Sequence, residues 1–389
     1  HYPLRRQRQM CIRDSLCTLP FGPGPNSGNN YTGLSSFGLD ADNELYLCQL
    51  SSLGGKIYKL ARSGPPARQM PLTLSATGLF SDLDSLSPAS GLIAYDVNTP
   101  LWSDGAHKQR WFGIPDGKQI GYAAEGEWTF PTGSVFVKHF DLPVDARDAA
   151  LKTRLETRVM VRDDLGFVYG GSYRWRPDHS DADLVLEPKT VEIPVTDADG
   201  NAAVQPWLFP SRQDCLTCHT RASGGVLGLK SKQNNRNHDF GGVIDNQLRA
   251  WNHAGYFSPT LDEAALPNLT RLAAVDDNSA SVEHRMRSYL DSNCSHCHRP
   301  GGVHTLWDAR IETSLNDAGI VNGFVTNELG VAGAKVIVPA DATASLMHRR
   351  MSTATEDYKM PPIGKNRVDA AAVSLLCLLY TSPSPRDRG

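Results

Sequence analysis

Two stretches of the 389-residue chain carry residue types that together do chemistry. Cys294-Ser295-His296-Cys297-His298 and, upstream, Cys215-Leu216-Thr217-Cys218-His219 both read C-x-x-C-H. On a helix, positions i and i+3 share a face and i+4 lies beside them. Two thiols so placed form thioethers with the two vinyl groups of a haem, and the following imidazole reaches the iron axially. This is the attachment signature of c-type haem. Zinc is the competing reading of the same residue types. It takes four ligands in a tetrahedron, and no partner C-x-x-C or H-x-x-x-H follows either motif at finger spacing. Two covalently bound haems c are therefore expected. Cys215, Cys218 and His219 hold one, and Cys294, Cys297 and His298 hold the other.

Each iron needs a sixth ligand. Class I cytochromes c take it from a Met on a later loop. Met360 lies 62 residues beyond His298, in the run Lys359-Met360-Pro361-Pro362. Proline forces its predecessor out of the helical region, which suits a loop crossing a haem face. Met347 and Met351 are spaced i, i+4 and read as core. His296, inside the motif, is expected to point away from the iron. For the first haem the distal candidates are His238, His253, His284 and Met286. His253 is preferred, because a side chain at a helix end can swing. The expected iron ligands are thus His219, His298, Met360 and His253.

The elements that position these residues follow from hydrophobic periodicity. Alternation in Val135-Phe136-Val137-Lys138-His139-Phe140 marks a strand. Lys108–Ile114, Leu155–Arg162 and Phe167–Trp175 read likewise, with turn signals such as Pro115-Asp116-Gly117 between them. Several short strands at regular spacing predict a β-sandwich or jelly-roll-like module over 97–205. Its tryptophans Trp102, Trp111, Trp128 and Trp175 read as core and rim. The haem segments, 206–280 and 281–376, are expected to be mostly α-helical, with helices over Val243–Asn252, Val282–Asn293, Ser345–Met351 and Asp369–Leu376. Residues 64–96 are rich in Pro, Ser and Gly and read as a linker. Upstream, Glu44–Cys48 and Lys56–Leu60 flank a Gly54-Gly55 turn and predict a hairpin within 16–63.

The ends, 1–15 and 377–389, read as translated sequencing adapter (RRQRQMCIRDS and CLLYTSPSPRD) and are set aside from fold reasoning. Removing the +3 of the first stretch and the +1 of the tail moves the formal net charge from −3 to −7. No basic nucleic-acid footprint remains. No apolar run is long enough for a membrane span. Four of the six remaining cysteines lie in the two motifs, and the sequence leaves open whether Cys17 and Cys48 pair. Haem c attachment itself implies a periplasmic or otherwise extracytoplasmic setting.

Seven segments in fixed order resemble a family of bacterial dihaem c-type cytochromes. They are NTPLWSDGAHKQRW, WTFPTGSVFVKHF, LETRVMVR, SRQDCLTCH, DNQLRAWNHAGYF, YLDSNCSHCHRPGG and KMPPIG. The resemblance spans about 76–376. It implies a β module followed by two haem segments, with the C-x-x-C-H residues as haem residues and Met360 as an axial ligand. For His253 it offers only the run ending in His-x-Gly-x-Phe, and it supplies no catalytic residues. Separately, SFGLDADNELYL and GKIYKL resemble the closing blade of the β-propeller in PQQ-dependent sugar dehydrogenases of the glucose/sorbosone type. That implies PQQ in an upstream domain, an upstream dehydrogenase as electron donor, and a soluble or membrane cytochrome or oxidase as acceptor. The expected function is electron transfer. The competing classes are a dihaem peroxidase, which needs an open axial position, and a carbohydrate-binding β module with accessory haems.

Overall fold

The computed structural model describes residues 32–39, 45–51, 55–59 and 70–381, in two compact units that divide between Gln69 and Met70. In the first unit, β1 (Thr32–Leu39), β2 (Leu45–Ser51) and β3 (Lys56–Lys59) form an antiparallel meander in that order. Leu47 is buried and faces Phe37 on one side and Tyr58 on the other. The expected hairpin is β2–β3, with β1 added before it. Residues 1–15, with Cys17, lie outside the described residues.

The second unit is organised by one eight-stranded sheet, not by two packed sheets. The short strands β4 (Phe80–Asp82), β5 (Ser87–Pro88) and β6 (Ile93–Ala94) lead into β7 (His107–Gly113). After β8 (Ile120–Gly121) come β9 (Val135–Asp145), β10 (Asp148–Arg162), β11 (Val168–Trp175), β12 (Ala182–Leu184), β13 (Lys189–Thr196) and β14 (Ala202–Phe209). The main path is β12-β11-β10-β9-β13-β14. β7 also pairs with β9, and β6 pairs with β7. Residues directly opposite across a ladder share a face. Trp111, Val137 and Val159 are opposite one another, as are Phe112, Phe136 and Met160. The first row buries into a cluster with Leu74, Leu86, Tyr173 and Trp175. The second packs with Val226, Leu229, Leu248 and Trp251. Residues 70–96, expected as a linker, thus cover one face, while the first C-x-x-C-H segment covers the other. Two-sided burial explains why three of the four named tryptophans, Trp111, Trp128 and Trp175, are buried.

The expectation of mostly α-helical haem segments is overturned. Of the described residues, 30% are strand and 18% helical. Residues 295–345 contain no helix. That stretch holds Pro300, Gly301, Gly302, Gly319, Gly323, Gly330, Gly333 and Pro339, which break helices and favour turns. The helices that do form are short: Arg212–Cys218, Ser231–Asn234, Gln247–His253, Leu346–Met351 and Ala370–Leu376. The exception is Val282–Cys294, 13 residues long and capped by the Ser281 hydroxyl. Its Met286, Tyr289 and Leu290 follow helical spacing and pack with Met347, Met351, Ala372, Leu375 and Leu376. The stretch expected as helix from Val243 begins instead with a hairpin, Asn237–Asp239 against Ile244–Asn246, and turns helical at Gln247. The last helix runs on through a π-helical turn, Cys377–Thr381.

Candidate functional site

The first motif sits on the Arg212–Cys218 helix. Ser211 opens it with a capping box: its hydroxyl accepts from Asp214 N and the Asp214 carboxylate accepts from Ser211 N. That box satisfies two of the helix's orphan donors. Cys215 and Cys218 lie one turn apart, and His219 leaves the helix with its N–H bonded to Cys215 O. The His219 ring is fixed by Nδ1 donating to Gly225 O at 2.7 Å. A carbonyl only accepts, so Nδ1 carries the proton and Nε2 keeps the lone pair, as in a metal-ligating histidine. Gly225 has φ +77°, a backbone state that favours glycine. Burial lowers the His219 pKa to about 4, so the ring is neutral.

The second motif ends the Val282–Cys294 helix. Cys297 N and His298 N both donate to Cys294 O, at 3.0 and 2.8 Å. The His298 ring stacks on Trp307, with centroids 4.2 Å apart and planes 25° apart. Its Nδ1 is buried without a hydrogen-bond partner among the described residues, and burial lowers its pKa to about 4. Gly302 lets the chain pass close beneath the motif, since a Cβ there would lie 2.1 Å from Cys297 O. Burial pushes the Cys294 thiol up to about 12 and raises Cys215.

The two motifs meet. Cys218 Sγ, Cys297 Sγ and one His296 ring nitrogen lie within 4.8 Å of one another. The Cys297 thiol also donates to Thr217 O at 3.6 Å. The hydrogen bond between the two thiols, followed by burial, holds the Cys218 pKa far above its ordinary value. His296 is buried at this junction. Beside it is a cavity of about 190 Å³, lined by the first motif and by Ser295, His296 and Arg299 of the second. The sheet contributes Arg110, Lys138, Arg158 and Met160, and the later loop contributes Pro361, Ile363 and Gly364. That is below the 300–1,000 Å³ of an ordinary small-molecule site, so side chains must move outward to admit a porphyrin.

The donor set of each motif, two thiols and one neutral imidazole nitrogen, fits haem c. Gly225 O orients one imidazole, and Trp307 flanks the other. Met360 lies on a loop whose backbone is held in several places. Its N–H donates to Arg350 O, and its carbonyl accepts from Lys365 Nζ, which also donates to Arg350 O and Met351 O. Asp104 then anchors the loop to the β module. This carboxylate, 1% exposed, accepts from Asn366 N, Asn366 Nδ2 and Arg367 N. Trp102 Nε1 donates to Arg367 O, and Trp102 N donates to Asn293 Oδ1. The LWSDG run is therefore a clasp, a role that nothing in its local periodicity announces. His253 ends its helix with a 65% exposed side chain paired to Glu263 at 2.7 Å, and neither it nor Met360 lines the cavity. Cavity-lining side chains able to ligate iron include Met160, His296, Lys138 and Tyr95, besides the motif itself. Met347 and Met351 are buried in the core, as expected.

No family model matches the chain, and no curated protein or solved structure does so either. No helix among the described residues is long and apolar enough to cross a membrane.

Proposed function

We propose that this chain is a dihaem c-type electron-transfer protein of an extracytoplasmic compartment. Cys215, Cys218 and His219 hold one haem, and Cys294, Cys297 and His298 hold the second, with Met360 as its distal ligand. The bound haems supply a one-electron ferrous/ferric couple. The observation that carries the reading is the contact between the second cysteines of the two C-x-x-C-H motifs. Sulfurs so close set the attached edges of two macrocycles side by side, which suits electron passage between them. Thioethers keep each cofactor in place through repeated docking with protein partners. The propeller-like run over residues 31–60 makes a PQQ-dependent sugar or alcohol dehydrogenase the favoured donor, and a cytochrome or oxidase the favoured acceptor. Expression with a c-type haem maturation system, followed by a denaturing gel and haem stain, tests this. Stain should persist at the mass of the chain, and Cys294→Ala with Cys297→Ala should leave one haem per chain. Absence of stain refutes the proposal.

A second reading is favoured by one observation. Cys218, Cys297 and His296 together offer three ligands of the kinds zinc takes. On that reading the purified chain carries about one zinc per molecule and no covalent porphyrin. Metal analysis beside the haem stain separates the two.

A further inference from the structure

One face of the sheet carries more basic side chains than its own carboxylates balance. Arg110, Lys138 and Arg158 lie directly opposite one another on β7, β9 and β10. Like charges opposite one another on a sheet are destabilising. Lys108 and Arg174 share this face, being in register with Phe140 and Glu156. Glu156 is the one carboxylate at these strand positions. It is fully buried, accepts from Ser172 Oγ and pairs with Arg158. Lys138 makes no ion pair among the described residues. Its Nζ lies 5.4 Å from the centroid of the Phe140 ring, which also carries the Arg158 guanidinium at 4.6 Å. Burying cations is costly unless an anion meets them. These three cations line the same cavity as Cys215, Cys218 and His219.

Resting on the dihaem reading, we infer that Arg110, Lys138 and Arg158 form a carboxylate cradle in the β module for the two propionates of the first haem. A porphyrin carries its propionates on the edge away from the vinyl groups that the cysteines take. The sheet residues and the first motif line one cavity, which holds thiols for the vinyl groups and basic side chains for the propionates. The same row is a device for setting potential. Fixed positive charge near iron disfavours the ferric form, and fixed negative charge favours it.

The test is a redox titration of the intact holoprotein and two variants. Lys138→Met removes one cation and relieves its burial. It should lower the midpoint potential of one haem and leave the other unmoved. Glu156→Gln keeps the shape and the Ser172 contact but removes the anion. It should raise the same haem's potential. A purely structural disturbance has no reason to reverse sign between the two. Potentials unmoved, or moved in the same direction, in variants that stain for two haems overturn the cradle and leave the dihaem reading intact. Loss of stain in the wild type overturns both. The cradle's chemistry also suits a free anion, so inorganic phosphate is titrated against the thermal midpoint of the holoprotein. No shift is expected, because propionates fill the site. A phosphate-induced rise that Lys138→Met abolishes assigns the row to a free anion and overturns the propionate assignment.

Discussion

Removing the Asp104 carboxylate is the sharpest available test of how the second motif's loop is held. Asp104→Ala leaves Asn366 N and Arg367 N without their acceptor. A buried donor left unsatisfied costs about 1–3 kcal/mol. Two such donors, with partial relief from no longer burying a charge, put the loss at about 2–4 kcal/mol. Backbone geometry adds to this. Asp104 has φ +51°, which Asp and Asn tolerate better than Ala. Asp104→Asn, which keeps one accepting oxygen, should therefore lose about 1 kcal/mol. The pH dependence has a definite sign. Burial outweighs the hydrogen bonds and raises the Asp104 carboxyl above its ordinary 3.8. A raised folded-state value means that the group's contribution is full below 3.8 and declines as pH rises through the folded value. The wild type's advantage over Asp104→Asn should accordingly be largest in acid and shrink toward neutrality. Urea denaturation of the three proteins between pH 4 and 7 measures all of this. Ala and Asn variants both within about 0.5 kcal/mol of wild type would refute the clasp.

Two further outcomes follow from the site. Met360→Ala should abolish the long-wavelength iron–thioether absorption band and lower one midpoint potential; an unchanged band would transfer attention to Met160. Gly225→Ala places a side chain at φ +77° and brings a Cβ to 3.5 Å from Val168 Cγ2. It should cost about 1–2 kcal/mol and loosen the His219 ring. Nitrogen-15 spectra of the ring would report the loosening, and an unshifted Nδ1 signal would argue against the Gly225 carbonyl as its anchor.

Local pattern was enough for much of the architecture. Alternation in 135–140 marked β9, and flanking turn signals marked β7, β10 and β11. The spacing of Met286 and Leu290 marked the one long helix. What failed did so for a physical reason. Helix was expected in the haem segments because the motifs sit on helical turns, but the Gly- and Pro-rich chain over 295–345 takes turns instead. Residues 70–96 look like linker because Ser, Gly and Pro interrupt their apolar residues, Leu74 and Leu86 among them, and leave no sustained period. Their burial depends on a sheet face made of distant residues. The reading of the motif cysteines and histidines rests on spacing alone. The meeting of Cys218 with Cys297, the Trp307 stack and the Arg110–Lys138–Arg158 row arise only where separate segments converge. His253 illustrates the converse: a plausible position in a helical stretch, yet an exposed ion pair in the fold.

The Asp104 clasp joins residues 262 positions apart in the chain. Closing a flexible loop of that size costs about 5 kcal/mol in chain entropy. The joining also sets a timetable. When the LWSDG turn is made, the loop it must grip does not yet exist, and its carboxylate faces water. The strands of the sheet, and the residues up to 266 that cover one of its faces, are all made before that partner arrives. Only when nearly all of the second-motif segment is present can residues 366 and 367 return and lock against the turn. Assembly of this unit therefore has a built-in last step, in which the latest-made part of the described chain fastens onto one of the earliest. A chain interrupted before residue 366 would leave the Asp104 carboxylate without the donors it accepts from.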